Sequence, residues 1–162
     1  MIIGKFESHN GSSGTIKEVN EELFRAALQK QVFDCLTKEN FKAGIYLHDV
    51  PPGVRNKIIE EMVRDMGFAQ SGIVKIRSMI NELEIIFYNG SSLRSVKGNQ
   101  SARGNKFHSI IMDTELPEEI KNCVCRPTLI RYILDYDSPM KDDGVDPFSR
   151  LFELQLKGVF DE

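Results

Sequence analysis

The chain has 162 residues, of which 41% are hydrophobic and 28% charged, and its formal net charge is −3. These values predict one compact domain, residues 1–162, with a sizeable core and no room for a second full domain. The sequence has no apolar run of about eighteen residues and no N-terminal signal segment, which excludes a membrane span and predicts a cytoplasmic protein.

Strand and helix signals alternate through the first half of the chain. Met1–Phe6 is a short apolar start, and the polar loop after it contains the glycine-rich stretch Gly11–Thr15. Apolar residues recur every three or four positions over Lys17–Leu36, which predicts an amphipathic helix. The apolar run Ala43–Leu47 predicts a strand that a Pro-Pro-Gly sequence ends, and a second helical period covers Val54–Met66.

The second half continues the same alternation. Gly72–Met79 and Glu82–Tyr88 predict a β-hairpin, because the connection near Asn81 is too short for a crossover. The nearly continuous apolar run Phe107–Met112 predicts a central strand, and Pro117–Cys125 predicts a short helix with an acidic first turn. Together the elements predict a single three-layer α/β domain with a mostly parallel sheet and a local antiparallel hairpin.

The C-terminal part, residues 135–162, combines an acidic linker with an apolar segment. Phe148, Leu151, Phe152 and Leu156 recur at a helical spacing, which predicts a C-terminal helix. Such a helix either closes the core of the domain or docks on a basic or hydrophobic groove of a partner.

Four basic residues lie in the acid-free stretch between Leu93 and Ser109, which we predict to be a loop. They are Arg94, Lys97, Arg103 and Lys106. A loop of this composition can neutralise nucleic-acid phosphates, with an affinity that falls as salt rises and without sequence specificity. The alternative is a solvated loop without a ligand.

Aspartates follow several of the apolar runs. Asp113 ends a predicted strand, where it either caps the next turn or marks a metal position. Asp49 and Asp135 or Asp137 are placed similarly, and carboxylates that converge at strand ends would suit a two-metal nuclease. The cysteines, in contrast, are Cys35, Cys123 and Cys125, an odd number without zinc-site spacing, and we interpret them as reduced structural thiols.

The segment from Phe41 to Arg131 resembles the ATPase domain of phage terminase large subunits, the DNA-packaging motors, downstream of their P-loop. The matching features are the strand Gly44–Leu47 with its following helix, the turn Asn89–Ser91, the stretch Ser101–Gly104, the strand Ile110–Asp113, and the runs Pro117–Ile120 and Arg126–Leu129. Each motif is short, and their order carries the resemblance. It implies a P-loop-ATPase-like core.

By this resemblance, Asp113 stands where the family's Walker B aspartate holds Mg²⁺, and Arg103 lies in the arginine-glycine loop before it. The family places a catalytic Glu directly after that aspartate, whereas here Thr114 follows and Glu115 comes one residue later. On an extended segment that displacement points the carboxylate to the opposite face. No stretch supplies Gly-x-x-x-x-Gly-Lys-Ser/Thr, because Gly11–Thr15 has no Lys before its Thr.

These departures predict a degenerate or truncated relative that keeps Asp113, Glu115 and Arg103 as a vestigial metal and nucleotide position. We therefore predict a non-catalytic, terminase-like binding or regulatory module of phage origin, located inside the host cell, with no cofactor unless Mg²⁺ binds. Its partner is nucleic acid, through the basic loop, or a phage or host protein. Two alternatives remain open: a metal-dependent nuclease that uses strand-end aspartates, and a viral inhibitor that docks through its C-terminal segment.

Overall fold

The structure is a computed structural model that describes residues 16–80, 82–97, 106–129, 150–156 and 158–160. In chain order the elements are α1 (Ile16–Thr37), β1 (Lys42–Leu47), α2 (Pro52–Arg64), a 3-10 segment (Gly67–Gly72), β2 (Ile73–Ser78), β3 (Glu82–Phe87), β4 (Ser92–Lys97), β5 (Ser109–Asp113), α3 (Glu118–Ile120) with its π-helical continuation (Lys121–Cys125) and 3-10 end (Arg126–Thr128), and β6 (Arg150–Leu154). No helix among these residues is long and apolar enough to cross a membrane.

The strands form one six-stranded sheet in the order β2-β3-β4-β1-β5-β6. β1 pairs in parallel with β4 and β5, and β5 pairs in parallel with β6. β3 pairs antiparallel with both β2 and β4, so it alone runs against the others. The α/β class, the mostly parallel sheet and the predicted hairpin are confirmed.

Apolar side chains cover both faces of the sheet. On one face Ile45 of β1 and Ile111 of β5 join α1 and α2 in a core that includes Phe24 and Ile59. On the other face Tyr46 and Met112 pack with the helical segment after β5, through residues such as Val124. Because alternate side chains of β1 and β5 enter opposite cores, both strands have continuous apolar sequences.

The predicted C-terminal helix is wrong in its described part, because Arg150–Leu154 forms β6 beside β5. Phe152 and Leu154 enter the core under α1 and α2, while Leu151 packs against the opposite core. A strand that is apolar on both faces gives a pattern that also fits a helix, and this ambiguity explains the error. The segment closes the core of the domain and is not an exposed docking helix.

The predicted loop between Leu93 and Ser109 is also wrong in its first part. Residues Ser92–Lys97 form β4, inside the sheet between β3 and β1. Leu93 enters one core and Val96 the other. The polar residues between them interrupt the apolar pattern, so a search for apolar runs did not identify this strand.

Both long helices are confirmed, with α1 at Ile16–Thr37 and α2 ending at Arg64, two residues before the predicted end. Several other segments of the sequence analysis lie outside the described residues: the short apolar start Met1–Phe6, the glycine-rich loop Gly11–Thr15, and the acidic linker from Asp135.

Candidate functional site

The carboxyl ends of β1, β5 and β6 meet at one edge of the sheet, here called the carboxyl edge, because the three strands are parallel neighbours. After β1 the chain turns to α2 on one face, and after β5 it turns to α3 on the other. Diverging connections leave a crevice at such a point in open α/β sheets. Here the crevice is a cleft of about 410 Å³, lined among others by His48, Asp49, Asp113, Glu115, Gln155 and Phe160.

Asp113 is the last residue of β5 and is only 5% exposed. Its Oδ1 accepts the Glu115 backbone N–H at 3.0 Å. Burial raises the pKa of Asp113, and the backbone N–H groups of Glu115 and His48 offset only part of that rise. The Asp113 side chain therefore caps the turn after β5, which is one of the two predicted roles.

Glu115 lies on the same cleft as Asp113, since β5 ends at Asp113 and Glu115 stands in the following turn. The opposite orientation expected for an extended segment does not arise. Its Oε2 accepts a hydrogen bond from Gln155 Nε2 at 3.2 Å, which links the turn to the end of β6. Sequence reasoning missed both Gln155 and His48. His48 directly follows the apolar run Ala43–Leu47, which was an available signal, whereas Glu153 interrupts the apolar residues before Gln155.

The described lining of the cleft is acidic. Asp49, Asp113 and Glu115 contribute carboxylates, and no Lys or Arg is among the described residues that line it. Asp49 has a φ of 53°, a left-handed conformation that is uncommon outside glycine. Among the described residues, however, no three His, Cys, Asp or Glu side chains lie close enough together to hold a metal ion. Asp135 and Asp137, the remaining carboxylates of the nuclease hypothesis, lie outside the described part of the chain.

A Mg²⁺ ion, which the family resemblance implies at Asp113, does not fit the residues that the structure describes. Asp113 Oδ1 already accepts the Glu115 backbone N–H, and among the described residues no three His, Cys, Asp or Glu side chains converge on one point. A magnesium site needs oxygen ligands in near-octahedral geometry around a single position. The described residues around Asp113 therefore do not form a magnesium site.

Arg94 does not belong to a basic loop, because it projects from β4 onto a carboxylate. Its Nε donates to Glu82 Oε2 at 2.8 Å and its Nη2 donates to Glu82 Oε1 at 3.0 Å. The hydrogen bond to Glu82 raises the pKa of Arg94, and the guanidinium lies 5.8 Å from the centre of the Phe107 ring. The charge of Arg94 is thus matched within the protein.

The structure describes only part of the other predicted basic residues. Lys97 ends β4 opposite Leu47 at the carboxyl edge, and only its backbone is described. Lys106 is exposed and lies two residues before His108. The His108 backbone N–H donates to Lys42 O at the start of β1, so this part of the chain lies at the end of the sheet opposite the carboxyl edge. Arg103 lies outside the described residues. A nucleic-acid surface at these positions stays a prediction.

The turn Asn89–Ser91 has a role that the sequence did not disclose. Asn89 Nδ2 donates to Cys35 O at 2.9 Å and to Lys38 O at 3.1 Å. Ser91 Oγ donates to Lys38 O at 2.7 Å and accepts the Phe41 N–H at 2.9 Å. The turn therefore caps the end of α1 at the edge where β1 begins, here called the amino edge, on the far side of the sheet from Asp113.

The three cysteines are free thiols. Cys35 and Cys125 are buried, and Cys123 is exposed. Burial raises the pKa of Cys35, and it raises the pKa of Cys125 to about 12, so both buried thiols stay protonated at neutral pH. This agrees with their interpretation as structural thiols.

The sequence matches no protein-family model and no curated protein. Among solved structures, the chain is similar to the large terminase of a thermophilic bacteriophage in complex with ATP-γ-S, with a TM-score of 0.49 and 13% identity over 90% of this chain. Two further structures of that terminase match with TM-scores of 0.44 and 0.43 and identities of 11% and 12%, over 93% and 96% of this chain. The chain spans 38% to 40% of the length of those terminase chains.

Proposed function

We propose that this protein is a non-catalytic binding module that holds its ligand in the carboxyl-edge cleft. The observation that carries the proposal is the cleft itself, about 410 Å³ in volume, at the point where the connections after β1 and β5 diverge. Clefts at this place are where open α/β sheets bind their ligands. The terminase-like motif order from Phe41 to Arg131 supports a phage origin for the module.

The charge of the cleft favours a cationic ligand. Asp49, Asp113 and Glu115 line it without a Lys or Arg among the described lining residues. Carboxylates attract positive groups and repel the phosphates of a free nucleotide. A Lys or Arg side chain of a phage or host partner protein would also place a full positive charge beside the buried carboxylate of Asp113. We therefore propose a protein partner that inserts a basic side chain into the cleft.

ATP hydrolysis is not part of this proposal. No segment of the sequence supplies a P-loop lysine, and Thr114 stands where the resemblance requires the catalytic Glu. Calorimetry with ATP and Mg²⁺ should give no saturable heat, and no phosphate should be released. Micromolar ATP binding that Asp113→Ala abolishes would refute the non-catalytic assignment.

Titration with small peptides tests the ligand class. We expect the amide of Gly-Arg-Gly to shift the NMR signals of His48, Thr114 and Glu115, whereas Gly-Glu-Gly, the matched control, leaves them in place. Asp113→Asn should weaken the binding of the arginine peptide about tenfold, or about 1.4 kcal/mol. Signals that shift only elsewhere, or equal affinity in Asp113→Asn, would sink the proposal.

A further inference from the structure

Exposed apolar side chains are concentrated around β2, the outermost strand on one side of the sheet. Six large apolar side chains are exposed in the described part of the chain, and five of them lie between residues 68 and 88: Phe68, Val74, Met79, Ile80 and Tyr88. Val74, in β2 itself, is 66% exposed, and Ile80, in the turn after β2, is 80% exposed. Exposed apolar residues gathered along an outermost strand indicate a docking surface.

The backbone of β2 has hydrogen-bonding groups that point away from the sheet. β2 pairs with β3 on one side and with no described strand on the other. The Met79 N–H donates to Glu82 O, so Met79 and, two residues earlier, Arg77 bond toward β3. Ile76 and Ser78 occupy the alternate positions, which direct their N–H and C=O groups outward. An added strand can therefore bond to β2.

The two faces of β2 differ in their chemistry. On the face that α1 and α2 cover, Ile73 and Ile76 are only partly buried against the core, so the core is open to solvent at this strand. A cleft of about 310 Å³ lies between the end of β2 and α2. On the other face, Arg77 pairs with Glu84 of β3, whereas the exposed Lys75 forms no ion pair with a described residue. An added strand would thus meet an apolar face and a basic face.

The charge of β2 argues against a second copy of this chain as the added strand. From Phe68 to Ile80 the sequence contains Lys75 and Arg77 but no acidic residue. Two copies would pair antiparallel about a two-fold axis. With the pairing centred on Lys75 or on Ile76, Lys75 would face Lys75 or Arg77 of the other copy. Like charges opposite each other destabilise a strand pair and opposite charges stabilise it, so the basic face favours a strand with acidic residues.

We propose that β2 is a docking strand for an extended segment of a partner protein, in which acidic residues alternate with apolar ones. The backbone of this segment bonds to the outward groups of Ile76 and Ser78. Its carboxylates face Lys75 and Arg77, and its apolar side chains cover the open part of the core. The alternation follows from the period of two along a strand. The surface is separate from the carboxyl-edge cleft, because the described lining of that cleft includes no residue of β2.

An NMR titration with a short peptide tests the docking strand. The acetylated and amidated peptide Ser-Glu-Val-Glu-Val-Glu-Ser should shift the amide signals of Ile76 and Ser78 in a saturable manner. Two control peptides should leave these signals in place. The first has Lys in place of each Glu and so has the wrong charge, and the second is the acidic peptide with N-methylated peptide bonds, which cannot donate backbone hydrogen bonds.

A charge reversal on β2 tests the basic face. Lys75→Glu should weaken binding of the acidic peptide about tenfold or more, and it should allow the lysine peptide to bind. The Lys75 side chain is exposed, so this variant should keep the fold. Lys106→Glu makes the same change at an exposed position before β5 and is the matched control, which should bind the acidic peptide as the wild type does.

Three results would overturn the proposal. The first is an acidic peptide that shifts no signal of β2, or that binds equally well to Lys75→Glu. The second is equal binding of the N-methylated peptide, because binding would then not involve the β2 backbone. The third is a dimer of the protein alone, detected by analytical ultracentrifugation and accompanied by broadened β2 signals, which would make a second copy the occupant.

Discussion

The two edges of the sheet differ in how their polar groups are satisfied. At the amino edge, Asn89 and Ser91 bond the free carbonyls at the end of α1. At the carboxyl edge, Asp113 is buried with a raised pKa beside an open cleft. A positive φ does not distinguish the edges, because Asn40 before β1 has a φ of 54° and Asp49 after β1 has a φ of 53°. We therefore expect the amino edge to contribute stability, and we propose that binding takes place at the carboxyl edge, where the cleft lies.

A substitution in the core between the two edges should lower the free energy of unfolding most. Its effect is the reference for the substitutions at the two edges. Phe152 is 7% exposed and packs under α1 and α2. Phe152→Ala should lower the free energy of unfolding by about 3 to 5 kcal/mol, because it removes a buried ring and leaves a cavity. Urea denaturation measures the loss. An equally stable variant would contradict the assignment of β6 to the core and restore the docking hypothesis.

At the amino edge, Asn89→Ala should lower the free energy of unfolding by about 1 to 3 kcal/mol. The change removes the side-chain donor to Cys35 O and Lys38 O and leaves part of the α1 end without partners. Asn122→Ala, at an exposed position, is the control and should stay within about 0.5 kcal/mol of the wild type. If the two changes lower the free energy of unfolding equally, the Asn89–Ser91 turn does not have the stabilising role that we assign to it.

At the carboxyl edge, in contrast, we expect a substitution to leave the free energy of unfolding unchanged or to raise it. Since burial places the pKa of Asp113 in the folded protein above its ordinary value of 3.8, ionisation at higher pH destabilises the fold. Asp113→Asn should therefore be as stable as the wild type or more stable at about pH 7. This gain should vanish as pH falls below 3.8, where the carboxyl group is protonated in both the folded and unfolded states. Thermal unfolding across this pH range measures it, and a variant that is less stable at neutral pH would contradict the prediction.

The smallest expected effect concerns the predicted nucleic-acid contact of Arg103 and Lys106, of which the structure describes Lys106, two residues before His108 at the amino edge. If Arg103 and Lys106 bind phosphates, replacing both by Ala should flatten the slope of log affinity against log salt by about two units. Binding to single-stranded and duplex DNA at several salt concentrations gives this slope. Absence of any DNA or RNA binding by the wild type at low salt would leave a protein as the expected partner.

Local patterns in the sequence identify the elements that have clear periodicity. The helical spacing of α1 and the apolar runs of β1 and β5 were sufficient to locate those elements. β4 was missed because it contains the charged residue Arg94, which interrupts its apolar pattern. Glu82 on the neighbouring strand β3 pairs with Arg94, and the sequence of β4 alone does not reveal that pairing. β6 was assigned as a helix because its two faces enter different cores.

Only the part of the candidate site at the end of a strand could be predicted from the sequence. Asp113 was selected because it directly follows an apolar run. Gln155 meets Glu115 only because β6 lies beside β5, and local patterns do not reveal that strand order.

The most direct test measures stability and peptide binding together in Asp113→Asn and Asn89→Ala, using urea denaturation and the Gly-Arg-Gly amide titration. We predict that Asp113→Asn keeps the free energy of unfolding at neutral pH and binds the arginine peptide about tenfold more weakly. Asn89→Ala should show the opposite result, with lower stability and unchanged binding by the folded protein. Weaker peptide binding by folded Asn89→Ala, or unchanged binding by Asp113→Asn, would contradict the assignment of binding to the carboxyl edge.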